Sequence, residues 1–189
     1  MKPSGLNSDN DSASQHRECE IKWQLTERIY QAILELAKTG QNQLTFIEKK
    51  HQINSIFDTE KKNLLKEGWA LRLRKEGEEY LVTAKGPVIK EPKGLYIRPE
   101  YEVILPATWR KRFENSFYLR DIDLSPVKEL YRRFGDLLLV KLFTFNNERS
   151  YISFQKWILV LDRTEILDRI FFELELETEL FQMAEAQLW

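Results

Sequence analysis

Three segments of the sequence each carry two glutamates separated by a single residue. One such pair is typical of a solvated sheet face, but like charges on neighbouring strands destabilise a sheet unless a counter-ion lies between them. Converging carboxylate oxygens are the ligands that hard cations such as Mg²⁺ and Mn²⁺ prefer. Three pairs together therefore indicate a divalent-cation site. The pairs are Glu18 and Glu20, Glu100 and Glu102, and Glu173 and Glu175.

Basic residues lie in other segments of the chain. Arg72 and Arg74 are separated by one residue, and Lys85 and Arg149 follow. Arginine forks and the lysine point charge hold phosphate oxygens through charge-assisted hydrogen bonds. An acidic wall and a basic wall would together suit a metal-bound polyphosphate, because both would share its charge. The residues therefore favour a small-molecule ligand over a protein or nucleic acid.

Period-two alternation predicts strands that position these side chains. Arg72 and Arg74 alternate with Leu71 and Leu73, and the other charged pairs alternate in the same way. We predict an α+β fold that is mainly antiparallel β, with helices packed on the apolar face of the sheet. If the sheet closes into a barrel of about eight strands, its polar face lines an interior wide enough for one small elongated ligand.

Apolar residues three and four positions apart predict helices over 26–38 and 125–134. Thr26 and Ser125 are the predicted N-caps, and Pro126 suits the first helical turn. Further helices are predicted over 58–68, from Thr108 onward and over 178–189.

Composition limits the remaining choices. The chain has 189 residues, a formal net charge of −1 and one cysteine. Its longest apolar run, Trp157 to Leu161, is far shorter than the roughly 20 residues that span a bilayer. We therefore predict a soluble, cytoplasmic protein with no nucleic-acid or membrane partner. Residues 1–16 are predicted to be a disordered tail, and residues 17–189 to form one domain.

Seven motifs in this order resemble the CYTH domain, also called the triphosphate tunnel metalloenzymes. The similarity covers residues 17–177. The resemblance implies a closed tunnel of eight antiparallel strands, whose charged interior binds a triphosphate together with Mg²⁺ or Mn²⁺. The motifs are ECEIK, QINSIFDT, GWALRLRK, TAKGP, RPEYE, the LD that ends at Asp162, and FFELE.

The resemblance also implies roles for individual residues. The implied phosphate-binding residues are Lys22, Arg72, Arg74, Lys85, Arg98 and Arg149. The implied metal ligands, direct or through water, are Glu18, Glu20, Glu100, Glu102, Asp162, Glu173 and Glu175.

The predicted activity is metal-dependent hydrolysis of a triphosphate, with inorganic tripolyphosphate as the first choice. Water activated by the metal would attack the terminal phosphorus, and a nearby glutamate or lysine would take its proton. A monomer or a homodimer is expected. The candidate catalytic residues are Glu18, Glu20, Lys22 and Lys85.

Three departures from the family pattern keep other functions open. Asn147 stands where the family usually has a basic residue, and Ile56 replaces the tyrosine of the usual YFDT. The segment RTEILDRI stands where a glycine-containing turn commonly precedes the last acidic strand. The alternatives are a thiamine triphosphatase, a class IV adenylyl cyclase and a phosphate-binding module without catalysis. Thiamine would require an aromatic cap, for which Trp69, Trp109 and Trp157 are candidates.

Overall fold

Nine β-strands form most of the part of the chain that the structure describes. The computed structural model describes residues 14–88 and 95–177, and it describes side chains over 19–88 and 96–177. The strands are β1 (Ser14–Leu25), β2 (Leu44–Asp58), β3 (Ala70–Glu76), β4 (Glu79–Lys85), β5 (Leu95–Ile104), β6 (Phe117–Tyr118), β7 (Leu138–Phe154), β8 (Trp157–Ile166) and β9 (Arg169–Glu177).

Eight of these strands close into an antiparallel barrel, in the order β2-β3-β4-β5-β1-β9-β8-β7. The pairing of β2 with β7 closes the barrel along nearly the whole length of both strands. The short strand β6 pairs only with the first residues of β7 and lies outside the closed set. The predicted α+β fold with an eight-stranded closed barrel is therefore confirmed.

Within the described residues, three α-helices connect the strands: α1 (Glu27–Lys38), α2 (Asn63–Lys66) and α3 (Ser125–Phe134). Both long helices fall where the apolar spacing predicts them. The Thr26 hydroxyl accepts a hydrogen bond from the backbone N–H of Ile29 at 3.3 Å, so this predicted N-cap is confirmed. No helix in the described residues is long and apolar enough to cross a membrane.

Several local predictions need correction. The helix predicted over 58–68 is only α2, because Asp58 ends β2 and its carboxylate accepts backbone N–H groups from Thr59, Leu64 and Leu65 at 2.7–3.0 Å. Those bonds cap α2 from outside the helix.

Ser125 is not an N-cap, since it is already the first residue of α3 and its hydroxyl has no hydrogen-bond partner in the described structure. The helix predicted from Thr108 is a 3₁₀ segment, Ala107–Glu114. Strand β1 starts within the predicted tail, at Ser14. The predicted helix over 178–189 lies outside the described residues.

The main hydrophobic core lies outside the barrel wall. Leu71 and Val82, on the outer faces of β3 and β4, are fully buried. They pack in one cluster with Phe113 of the 3₁₀ segment and Leu130 of α3. Helices therefore cover the apolar face of the sheet, and the alternate, polar side chains must point into the barrel.

Candidate functional site

The barrel contains a cavity of about 1160 Å³ lined mostly by charged side chains. Every predicted site residue whose side chain the structure describes lines it. Glu18 lies in β1 opposite Arg98 of β5, and its side chain is outside the described part of the structure. The predicted residues that line the cavity are Glu20, Lys22, Arg72, Arg74, Lys85, Arg98, Glu100, Glu102, Arg149, Asp162, Glu173 and Glu175.

Arg149 is held by two carboxylates. Its guanidinium forms a fork with Asp162, in which Nε donates to Oδ1 at 2.9 Å and Nη2 donates to Oδ2 at 2.6 Å. Nη2 also donates to Oε2 of Glu175 at 2.9 Å. Burial alone would lower the pKa of Arg149, but these two acids outweigh it and raise the pKa. Arg149 is therefore largely neutralised by its own neighbours.

Asn147 belongs to the same hydrogen-bond network. Its amide nitrogen donates to Oδ1 of Asp162 at 3.0 Å and to Oε1 of Gln52 at 3.1 Å, and its oxygen accepts from the Thr164 hydroxyl at 3.0 Å. Gln52 in turn donates to Glu76 at 2.7 Å. The family pattern predicts a basic residue at position 147. Here Asn147 instead donates to Asp162, the carboxylate that holds Arg149.

Lys22 lies between two buried carboxylates. Its Nζ is 2.6 Å from Oε1 of Glu175 and 3.3 Å from Oε2 of Glu20. Burial alone would lower the pKa of Lys22, but Glu175 and Glu20 outweigh that effect and raise the pKa to about 12. The ammonium group therefore stays charged at neutral pH.

The acids of β5 also have partners. Lys85 Nζ lies 3.5 Å from Oε1 of Glu100, and the Thr83 hydroxyl donates to Oε2 of Glu102 at 2.7 Å. Arg98, from the same strand, donates to Oε1 of Glu20 at 3.3 Å. Strands β4, β5 and β1 thus form a second region where acidic and basic side chains alternate.

Arg72 and Arg74 differ from the other bases. Among the described residues neither arginine forms an ion pair, and the buried Nε of Arg72 has no hydrogen-bond partner. Arg74 donates only to Oδ1 of Asn54, at 3.2 Å. Burial and the neighbouring Arg74 lower the pKa of Arg72 to about 10, and burial and Arg149 lower the pKa of Arg74. Glu100 and Glu102 act on Arg72 only from beyond ion-pair distance, so no ion pair among the described residues neutralises this part of the wall.

The residues present fit a divalent metal by their chemistry. Burial raises the pKa of Glu173, and Glu175 and Asp162 raise it further, although Lys22 opposes them. A cation beside Glu173 would relieve this repulsion, and carboxylates are suitable oxygen ligands. Three such acids do not yet converge on a single point in the described structure. The partners of Glu20 and Glu175 explain this, because bases already hold their oxygens.

Sequence reasoning missed several uncharged residues that line the cavity, among them Asn54 and Thr164. Asn54 lies in the quoted QINSIFDT motif and points the same way as Gln52, so alternation along β2 is the signal that could have found it. Of the candidate aromatic caps, Trp69 packs in the outer core, Trp109 packs against it, and Trp157 lines the cavity.

A closed barrel with a charged interior defines a class of proteins that bind a small polyanion inside a tunnel. The CYTH domain model matches residues 16–186, and the chain belongs to this family. Proteins of the family act on triphosphates and generally depend on a divalent metal ion. No curated protein matches the sequence.

Solved structures share the fold. A candidate adenylate cyclase from Bacillus halodurans is 23% identical with a TM-score of 0.69, and the match covers 92% of this chain and 87% of that chain. A candidate adenylyl cyclase from Hippeastrum, described as having a dominant triphosphatase activity, is 24% identical with a TM-score of 0.68, over 90% and 84%. A Pyrococcus horikoshii protein is 23% identical with a TM-score of 0.54, over 89% and 83%.

Proposed function

We propose that this protein is a metal-dependent hydrolase of triphosphates, and that inorganic tripolyphosphate is its preferred substrate. One observation carries the proposal: Arg72 and Arg74 place two half-buried cations, neither in an ion pair among the described residues, on the wall of a cavity that also contains many carboxylates. Buried unpaired charge is costly, so such an arrangement is expected where an anionic ligand supplies the missing partner.

The arginines would bind the phosphate chain. Arg72 has an unused donor at Nε, and Asn54 fixes the guanidinium of Arg74 from the neighbouring strand. Two forks on one strand, separated by one residue, can hold oxygens of successive phosphates. Lys85 and Arg98, from the strands beyond, would add charge to the same anion.

The acids would hold the metal. Glu20 on β1 and Glu173 and Glu175 on β9 are the first candidates. Glu100 and Glu102 lie on β5, which pairs with β1 on the side away from β9. A divalent ion, when bound, supplies charge neutralisation of phosphate oxygens and a more acidic water. Mg²⁺ and Mn²⁺ are both suited to oxygen ligands, and the proposal includes either.

Lys22 is better suited to donate than to accept a proton. Its pKa is raised to about 12 by Glu175 and Glu20, so at neutral pH it would stabilise negative charge on a phosphate oxygen. The proton of the attacking water would then pass to a carboxylate. Glu18, which is not among the first candidates for the metal, is the candidate acceptor, with Glu20 as the alternative.

The experiment that tests this proposal measures phosphate release from tripolyphosphate, thiamine triphosphate and ATP, each with Mg²⁺, with Mn²⁺ or with EDTA. We expect metal-dependent release, fastest from tripolyphosphate, and none with EDTA. The control variant Arg132→Met should release phosphate like the wild type, because Arg132 lies on α3 outside the barrel and pairs with Glu129. Release that is equal with and without EDTA would contradict the proposal.

A second candidate function is adenylyl cyclase activity, because two of the similar structures are candidate cyclases. The formation of cyclic AMP from ATP in the same assay would favour it. Binding of tripolyphosphate without turnover would instead favour a binding module. The monomeric or homodimeric state, the cytoplasmic location and the lack of a nucleic-acid partner stay predictions.

A further inference from the structure

We propose that the Lys22 ammonium group occupies the position of a divalent metal ion in the metal-free protein, and that metal binding displaces it. The inference rests on the proposed metal-dependent function and names the residue that controls access to the metal. Lys22 is then a positioning residue for the metal as well as a ligand of the phosphate.

The geometry around Lys22 is that of a small cation between two acids. Its Nζ contacts Oε1 of Glu175 at 2.6 Å and Oε2 of Glu20 at 3.3 Å. Both carboxylate side chains are nearly inaccessible, with 4% and 2% of their surfaces exposed. A buried pair of carboxylates requires counter-ions, and the Lys22 ammonium contacts both carboxylates of this pair.

The other oxygen of each carboxylate is held by an arginine from another strand. Oε2 of Glu175 accepts from Arg149 at 2.9 Å, and Oε1 of Glu20 accepts from Arg98 at 3.3 Å. These contacts fix the two carboxylates independently of Lys22. If the ammonium leaves, Oε2 of Glu20 and Oε1 of Glu175 still point toward one position. The barrel therefore presents two preset oxygen ligands that the lysine covers.

Exchange is physically reasonable. A divalent ion would place twice the positive charge of the ammonium between the same two carboxylates, so it would be attracted more strongly. The Lys22 side chain is 24% exposed and flexible, so it can move into the cavity, where a bound phosphate would receive it. Metal binding would thus release a cation toward the substrate.

Direct metal binding tests the inference without an activity measurement. Mn²⁺ affinity is measured by calorimetry and by electron paramagnetic resonance for the wild type, Lys22→Met and the control Lys49→Met, which removes a lysine that pairs with Glu148 outside the cavity. Because a hydrogen bond to a charged group no longer competes, Lys22→Met should bind Mn²⁺ about tenfold more tightly. The control should bind like the wild type. Equal or weaker binding by Lys22→Met would overturn the inference.

A second measurement uses the wild type, so it does not depend on folding of the variant. An amine-acylating reagent followed by mass spectrometry reports how accessible each lysine is. Mg²⁺ alone should increase the modification of Lys22 and leave Lys49 unchanged. Mn²⁺ binding without a change at Lys22 would overturn the inference while leaving the proposed metal dependence intact. A complete absence of Mn²⁺ binding would overturn both.

Discussion

Two arginine regions of the cavity differ in how their charge is compensated. Arg149 donates three hydrogen bonds to Asp162 and Glu175, whereas Arg72 and Arg74 form no ion pair within the described residues. All three line the same cavity. The difference leads us to propose that equal residue types serve different purposes: Arg149 would hold the acidic wall together, and the other two would bind a ligand.

Strand register is the physical origin of this difference. Arg149 of β7 lies directly opposite Asp162 of β8, so the pair forms across neighbouring strands. Arg72 lies opposite Thr83 and Ile56, which carry no charge. Neighbouring strands therefore supply acids to one arginine and none to the other. Substitutions of Arg149, Arg72 and Asn147 compare the two arginine regions directly.

Removal of Arg149 should give the largest effect on stability. Arg149→Met leaves the buried carboxylates of Asp162 and Glu175 without their shared donor, which should cost about 3 kcal/mol. Urea unfolding of the metal-free protein measures the change. Arg132→Met, on the outer surface, should leave the unfolding curve unchanged. If Arg149→Met were as stable as the wild type, the view that this arginine holds the acidic wall would be wrong.

Arg72→Met should show the opposite pattern. Loss of a phosphate donor should lower kcat/KM for tripolyphosphate roughly 10- to 100-fold, since hydrogen bonds to charged groups are among the stronger ones. Stability should be unchanged or higher, because a buried cation with an unpartnered Nε is removed. Thermal unfolding with and without tripolyphosphate gives an independent readout, in which the variant should gain less stability from the ligand. If Arg72→Met were less stable than the wild type and tripolyphosphate stabilised it as much, the proposed difference between Arg72 and Arg149 would be wrong.

Asn147→Ala should have an intermediate effect. It removes one of the donors to Asp162 and leaves the Gln52 amide oxygen without this partner, which should lower the unfolding free energy by about 1–2 kcal/mol. Asn147→Asp is the informative companion, because it keeps the size but places a second carboxylate beside Asp162. We expect urea unfolding to rank it below Asn147→Ala. The reverse ranking would show that the amide does not support this carboxylate.

The sequence predicts which side chains face the cavity because alternation in a strand is a local property. Glu173 and Glu175 point inward once Phe172 and Leu176 are assigned to the outer face, and closure of the barrel follows from the resemblance. The fold could therefore be predicted almost completely.

The pairing of charges could not be predicted in the same way. Whether Arg149 meets Asp162 depends on how β7 and β8 are aligned, and that alignment is set by the whole barrel. For the same reason, the sequence shows only that Asn147 replaces a basic residue of the family pattern. It does not show that the Asn147 amide donates to Asp162. Alternation identifies which residues line the cavity. Only the register of the strands shows which of the arginines form ion pairs with carboxylates.

Glu76 links the two regions and should give the smallest effect, visible as a pH dependence. It lies on β3 with Arg72 and Arg74, and it accepts from Gln52 at 2.7 Å, which leads to Asn147. Burial alone would raise the pKa of Glu76, but hydrogen bonds from Lys50 and Gln52 outweigh it, and the pKa falls below the ordinary 4.5. Its contribution to stability is therefore complete above pH 4.5 and is lost as the pH falls through the lower, folded-state pKa.

Urea unfolding between pH 6 and pH 3, conditions that bracket this range, measures the contribution by comparing the wild type with Glu76→Gln. The stability difference should shrink by less than about 1 kcal/mol as the pH falls, because the carboxylate is partly exposed to solvent. Lys50→Met, which removes one donor and keeps the acid, should show part of the same trend. A difference that stays constant over this range would mean that Glu76 is not tied to the network, and the two arginine regions would then be independent of each other.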